Sequence, residues 1–301
     1  MEKAVKRAFT LLELVIVVVI VSLLAVASFK GIQALKLRAF KTKELTRLSL
    51  ESQAVLDQLG ALLQIRIPAT TIGYDPASAE YKPISEILED QKYKILEWIV
   101  FDEDAFDRGV YSGFVDMKRS IRQYSDYTFY TDISQDLPGR ALVFAGTFDR
   151  GYTSDQIKEA FGWHGSRSDL IYDISITPPH TITITDATKP KWLYEKYYLA
   201  KSAFAVARGA DIDMSAQCLK DFHVDEETLL LFYDYKPWKG ETFCADPNGG
   251  NQSGQAAILM RHVAGFGVRE QDFTLRLVLD IDKPILGQKV GVHFSKTKVV
   301  F

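Results

Sequence analysis

Only two cysteines occur among the 301 residues, Cys218 and Cys244, and neither sits in a C-x-x-C pair. That excludes a zinc finger, a thioredoxin-like redox motif and a dense disulfide scaffold, and it leaves one intramolecular pairing. Five histidines, His164, His180, His223, His262 and His293, are scattered without metal-ligand spacing. No G-x-S-x-G elbow and no phosphate-cradling glycine loop occurs, and the "GFG" at 265–267 lacks the rest of a dinucleotide fingerprint. Catalysis thus has no motif to rest on, and neither a metal nor another cofactor is expected. A charge surplus is missing too. With 36 Lys and Arg against 39 Asp and Glu, the formal net charge of −3 gives no overall field that would draw the chain to nucleic acid or anionic lipid. Proline is absent before Pro68.

The proline-free stretch holds one long apolar run, "KRAFTLLELVIVVVIVSLLAVASF" at 6–29, in which Glu13 is the only strongly polar residue after Arg7. From Phe9 to Phe29 a helix would extend about 31 Å, enough to span a bilayer core. A secretory signal cut after Ala27 in "AVAS" and a plain uncleaved anchor are alternatives. Neither has a use for Glu13, since a carboxylate at the centre of a membrane helix costs about 2–3 kcal/mol.

The stretch from Ala8 through Phe9, Thr10, Leu11 and Leu12 to Glu13, behind Lys3, Lys6 and Arg7, resembles the class III leader of type IV pilin-like proteins. The resemblance implies cytoplasmic cleavage by a prepilin peptidase between Ala8 and Phe9, followed by N-methylation of Phe9. Ala8 stands where glycine is usual, and the family tolerates alanine there. Glu13 of one subunit would then meet the Phe9 amine of its neighbour as helices stack. Lys30, Lys36, Arg38, Lys41 and Lys43 follow the span and by charge counting alone would place its C-terminal side in the cytoplasm. The leader requires the opposite orientation, with residues 1–8 cytoplasmic and the head periplasmic.

Apolar residues continue at threes and fours after the span (Ile32, Leu35, Leu45, Leu48, Val55, Leu59, Leu62, Leu63), so one helix is expected from Thr10 to about Ile65. Its second half should lay an apolar stripe on a sheet. Beyond Pro68, short apolar or alternating runs broken by Gly, Pro, Asn and Asp predict antiparallel strands at 140–148, 173–185, 227–235, 256–269, 273–281 and 289–295. Helices are expected at 85–98 and 154–163. "ILMRHVAGFGVREQDFTLRLVLDI" is similar to the paired strands of the larger minor pilins and J-type minor pseudopilins.

The implied fold is α+β, pilin-like: leader 1–8, transmembrane half-helix 9–29, amphipathic half-helix 30–67 and a globular head at 68–301. The implied role is that of a minor pilin or pseudopilin, a structural subunit, with a DNA- or substrate-binding tip adhesin module as the alternative. Its partners would be other major and minor pilins or pseudopilins, the prepilin peptidase and the inner-membrane assembly platform. It would be a single-pass inner-membrane protein and, after assembly, lie at a pilus or pseudopilus tip. Type II secretion, a motility pilus and DNA uptake all remain open as the machine.

A periplasmic head permits Cys218 and Cys244 to pair. "DPNGGNQSG" at 246–254 offers Asp246, Asn248 and Asn251, but its spacing fails the EF-hand pattern and reads as a turn. Asp102, Glu103, Asp104 and Asp107 read as a solvated acidic loop. Between 189 and 208 cations alternate with aromatics, and Lys191, Trp192, Lys196, Tyr197 and Lys201 are candidate contacts to single-stranded nucleic acid. A strand pair with one wet face gives the same text, and it is the preferred reading.

Overall fold

A computed structural model describes residues 11–87, 93–102, 105, 107, 113–121, 126–133, 136–147, 153–271, 274–284 and 291–300. Helix α1 runs unbroken over Leu11–Gln64, about 80 Å long. The chain divides into two compact units, Met1–Leu50 with Pro284–Val292 and Glu51–Lys283 with His293–Phe301.

In the second unit Val55, Leu56, Leu59 and Leu63 form a buried stripe at helical spacing. On the same stretch of helix Asp57 is held by Lys298 Nζ at 2.5 Å, and that bond keeps the Asp57 carboxyl below the usual carboxylate range. The helix stops where proline arrives. The segment just beyond it pairs with a strand instead, the Ile67 amide donating to the Ile99 carbonyl (2.8 Å) and the Phe101 amide to the Ile65 carbonyl (3.1 Å). Thr70 Oγ1 adds a bond to this junction, accepting from the Ile99 amide at 3.0 Å.

The head is built on strand β8 (Tyr197–Arg208). One edge of β8 pairs with β3 (Ile95–Phe101), and β3 is followed outward by β1 (Ile72–Asp75) and β2 (Glu80–Pro83). Its other edge is shared end to end. Residues 197–200 pair with β5 (Ala141–Phe144), and residues 203–208 with β9 (Leu229–Tyr235). The sheet therefore forks. One arm continues through β6 (Ile171–Thr177) and β7 (Thr181–Ile184) to β4 (Thr128–Tyr130), and the other ends at β12 (Gln255–Met260). Two short parallel strands, β10 (Glu241–Phe243) and β11 (Asn251–Ser253), lie apart. Strands β13 (Val263–Gln271), β14 (Thr274–Lys283) and β15 (Val292–Val300) make a separate sheet in that order. In β14, Leu275, Leu277, Leu279 and Ile281 are buried in strict alternation, as the "TLRLVLDI" pattern predicts.

Helix α2 (Ser154–Ala160) starts on a reciprocal capping box, Thr153 bonded to the Gln156 amide and Gln156 back to the Thr153 amide. It buries Ile157 and Ala160 on the sheet. Gly162, at φ +81°, turns the chain away from it. A Cβ there would lie 2.5 Å from the Pro237 carbonyl oxygen, so only glycine fits.

Three expectations are corrected. The helix predicted over 85–98 is a short 3-10 turn at Ile84–Glu86 followed by β3, with residues 88–92 outside the described set. Strand β3 is covered on both faces, so "ILEWIVF" reads as a continuous apolar run, which periodicity cannot tell from a buried helix. Residues 189–208 hold one strand rather than a strand pair. Strand β8 is central in its sheet, and Tyr198, Lys201, Phe204 and Arg208 keep partial exposure along it while the residues between them are buried. Asp102 is not solvated: it is buried, and Arg140 Nε contacts its Oδ2 at 2.6 Å. Asp107 is exposed as expected, while Glu103 and Asp104 lie outside the described residues.

Cys218 and Cys244 form a disulfide with Cα atoms 6.3 Å apart. Closing a loop of 26 residues restricts the unfolded chain by about 3.5 kcal/mol in the entropy model. Cys218→Ser with Cys244→Ser is expected to lower the thermal midpoint of the head by roughly 10 °C. Calorimetry of the two proteins checks this, and equal midpoints would show that the cross-link contributes nothing.

Candidate functional site

Every side chain from Leu11 to Lys36 is exposed. A helix apolar on all sides cannot stand in water, so this surface requires lipid or neighbouring helices. Among the described residues α1 is the one helix long and apolar enough to cross a membrane. Its mild polar groups fit such a setting: Ser22 donates its hydroxyl to the Val18 carbonyl at 2.7 Å, leaving no unpaired O–H. Glu13 is exposed on this apolar helix surface. Ala8 and Phe9, the expected cleavage and methylation positions, lie outside the described residues. Lys30, Lys36, Arg38, Lys41 and Lys43 are all exposed after the apolar stretch.

A second polar constellation, not anticipated from the sequence, is buried in the head. His164, between Gly162 and Gly165 in the turn after α2, places Nε2 2.7 Å from Glu97 Oε1 and Nδ1 3.2 Å from Asp246 Oδ2. The Tyr235 hydroxyl donates to Glu97 Oε2 at 2.7 Å, and the Tyr74 hydroxyl to Asp246 Oδ1 at 3.1 Å. Asn248 closes the network through its amide to Asp246 and its side chain to the Tyr74 oxygen. Tyr74 also stacks on the imidazole, ring centres 3.9 Å apart. Burial alone disfavours charge on His164, but the neighbouring Glu97 and the bonded Asp246 outweigh it and raise its pKa to about 10. The ring is therefore an imidazolium at neutral pH with both nitrogens donating. It has no lone pair with which to act as a base.

The 246–250 part of this segment is the turn expected, while Asn251–Ser253 form strand β11; Gly249, Gly250 and Gly254 are at positive φ. Asp246, however, faces inward to the histidine. Among the described residues no group of three His, Cys, Asp or Glu side chains is arranged to hold a metal.

The five candidate nucleic-acid contacts do not come together. Tyr197 is fully buried, its hydroxyl 2.6 Å from Thr131 Oγ1, and that burial removes it from the set. Lys191 and Trp192 line one surface cleft, and Lys201 lines another beside Phe204 and Tyr233. Lys196 places its Nζ 5.4 Å from the Tyr198 ring.

The prokaryotic N-terminal methylation motif matches residues 3–29, most of the leader and the whole apolar stretch to Phe29 included. Comparison with curated proteins and with solved structures returns no match. Joined to the long apolar helix and the antiparallel head, the motif supports a type IV pilin-like protein, a membrane-anchored structural subunit rather than an enzyme, processed by prepilin peptidase and assembled with other pilin subunits.

Proposed function

We propose that this chain is a minor pilin or pseudopilin, cut between Ala8 and Phe9, methylated on Phe9 and carried from the inner membrane into a filament by α1. The observation that carries this reading is the methylation motif at residues 3–29 running into a helix whose apolar side chains are exposed all round. In the proposed mechanism, cleavage leaves a cationic amine on Phe9, and Glu13 of one subunit pairs with the amine of the next. At about 4 Å and an effective dielectric near 20, that pair is worth on the order of 4 kcal/mol, which offsets the cost of a carboxylate in lipid. Assembly is thereby favoured over the isolated anchor, with a fixed axial register. The large head, with its forked sheet and added three-stranded sheet, supports a minor subunit at or near the tip.

Sequencing the mature N-terminus tests the reading. Methylated Phe9 is the expected first residue. Ser28 would mean a secretory signal cut after Ala27, and Met1 a plain anchor, and either would overturn the proposal.

A further inference from the structure

A surface cleft of about 660 Å³ opens between α2 and the segment joining β7 to β8. That size is in the usual range for small-ligand sites. Its floor is aromatic, with Phe144 flanked by Tyr172 and Tyr194 at ring-centre distances of 6.4 and 5.9 Å. Tyr194 is seated directly on the backbone of Gly146, where an added Cβ would come within 2.2 Å of the ring. At the rim, Trp192 is 71% exposed, while the other three tryptophans, Trp98, Trp163 and Trp238, are buried. The indole is amphipathic, and leaving it in water at the mouth of an aromatic cleft forfeits a large burial term that a flat ligand face would recover.

The polar groups select the ligand class. Arg167 is held in the cleft by two carboxylates, Asp169 Oδ2 at 2.6 Å and Glu159 Oε1 at 3.4 Å, so its charge is already matched. Lys189 turns its Nζ to the Ile184 carbonyl at 2.7 Å and lies over the Tyr127 ring. An anion entering here would meet Asp169 and Glu159 with Lys191 as the only lining cation not so engaged. A neutral polyol meets no such penalty. Its hydroxyls can donate to the remaining carboxylate lone pairs and accept from guanidinium N–H groups, while its C–H face covers the indole.

We propose that this cleft binds a neutral oligosaccharide with equatorial hydroxyls, stacked on Trp192 and hydrogen-bonded by Asp169, Glu159 and Arg167. The binding is independent of how the N-terminus is processed.

The full chain in a detergent without a sugar headgroup, titrated with chitohexaose and with cellohexaose, provides the test by calorimetry and by tryptophan fluorescence. Saturable heat is expected with at least one of them, with a blue shift and reduced acrylamide quenching of the exposed indole. Trp192→Ala should abolish the heat. Asp169→Asn should weaken binding about tenfold, close to one lost charge-assisted hydrogen bond. Glu159→Gln serves as the second carboxylate variant should Asp169→Asn fail to fold, with a similar fall. No saturable signal with either sugar at millimolar concentration, or equal binding by Trp192→Ala, would overturn the proposal. So would a thymidine oligonucleotide that produces the shift while the sugars do not, since it would make the cleft a nucleic-acid site.

Discussion

Glu13→Ala is expected to leave cleavage after Ala8 intact while recovery of the subunit in sheared filaments falls about tenfold or more. In the proposed mechanism processing takes place at the cytoplasmic leader, before helices meet, so it would not need the carboxylate. Incorporation would. An ion pair of order 4 kcal/mol set against roughly 2–3 kcal/mol for holding a carboxylate in lipid leaves a margin of 1–2 kcal/mol per contact, about tenfold in an equilibrium. Alanine removes the cost together with the pairing, and with both goes the register that the charges impose. Glu13→Gln keeps the shape and a neutral hydrogen bond and should fall between the two. Mass spectrometry of the processed chain and quantitative blotting of filaments measure both quantities. Equal incorporation of wild type and Glu13→Ala would show that the carboxylate does not set the register.

His164→Gln should destabilise the head by about 3–5 kcal/mol, the usual consequence of removing one partner from a buried ion pair. Glutamine can bond one carboxylate but carries no charge, so Glu97 and Asp246 would face each other's field uncompensated. The wild-type pH dependence carries the same signature. The folded-state pKa of His164, about 10, lies above its ordinary value of 6.5. The stabilisation from its charge is therefore complete below about pH 6.5 and is lost as pH rises toward about 10. The groups facing the ring are Glu97, Asp246, Tyr74 and Tyr81, with Tyr235 bonded to Glu97 behind it. All three phenols are held above their ordinary range, by burial first and by the nearby carboxylates second, so they stay protonated across this window. Denaturant melts at intervals from about pH 6 to about pH 10 should show a slope in the wild type that is absent from His164→Gln. The same slope in both proteins would mean that the histidine is not the titrating group.

Glu13 and Glu97 look alike in sequence: each is a lone carboxylate in an apolar run, "LLELVIV" and "ILEWIVF". The first could be interpreted where it stands, because the leader around it is a local, contiguous pattern. The second could not. Its partners His164 and Asp246 are 67 and 149 residues away, and only the pairing of β3 with β8 and the turn after α2 bring them together. The acid inside the strand was itself a usable signal, since a carboxylate buried in a sheet requires a partner. Nothing in "FGWHGS" identified that partner. Asp102 is a similar case. An acidic run reads as solvated until Arg140, 38 residues on, covers its first member.

The same division holds for the fold. Helix α1, the capping box of α2, the alternating strand β14 and the turn at 246–250 each depend on residues within a turn or two, or on the alternation of a single strand. Those patterns are complete in the sequence itself. A continuous apolar run such as β3 is locally ambiguous, and coverage on both faces decides it. What the sequence by itself determined was a long apolar helix behind a methylation-type leader and an antiparallel head, because leader, length and periodicity are properties of contiguous chain. Only the tertiary structure decided the fork at β8, the burial of Tyr197, the protonated histidine between two carboxylates and the cleft under Trp192. Each of these depends on contacts between distant segments, and the energies of those contacts do not exist until the segments are packed.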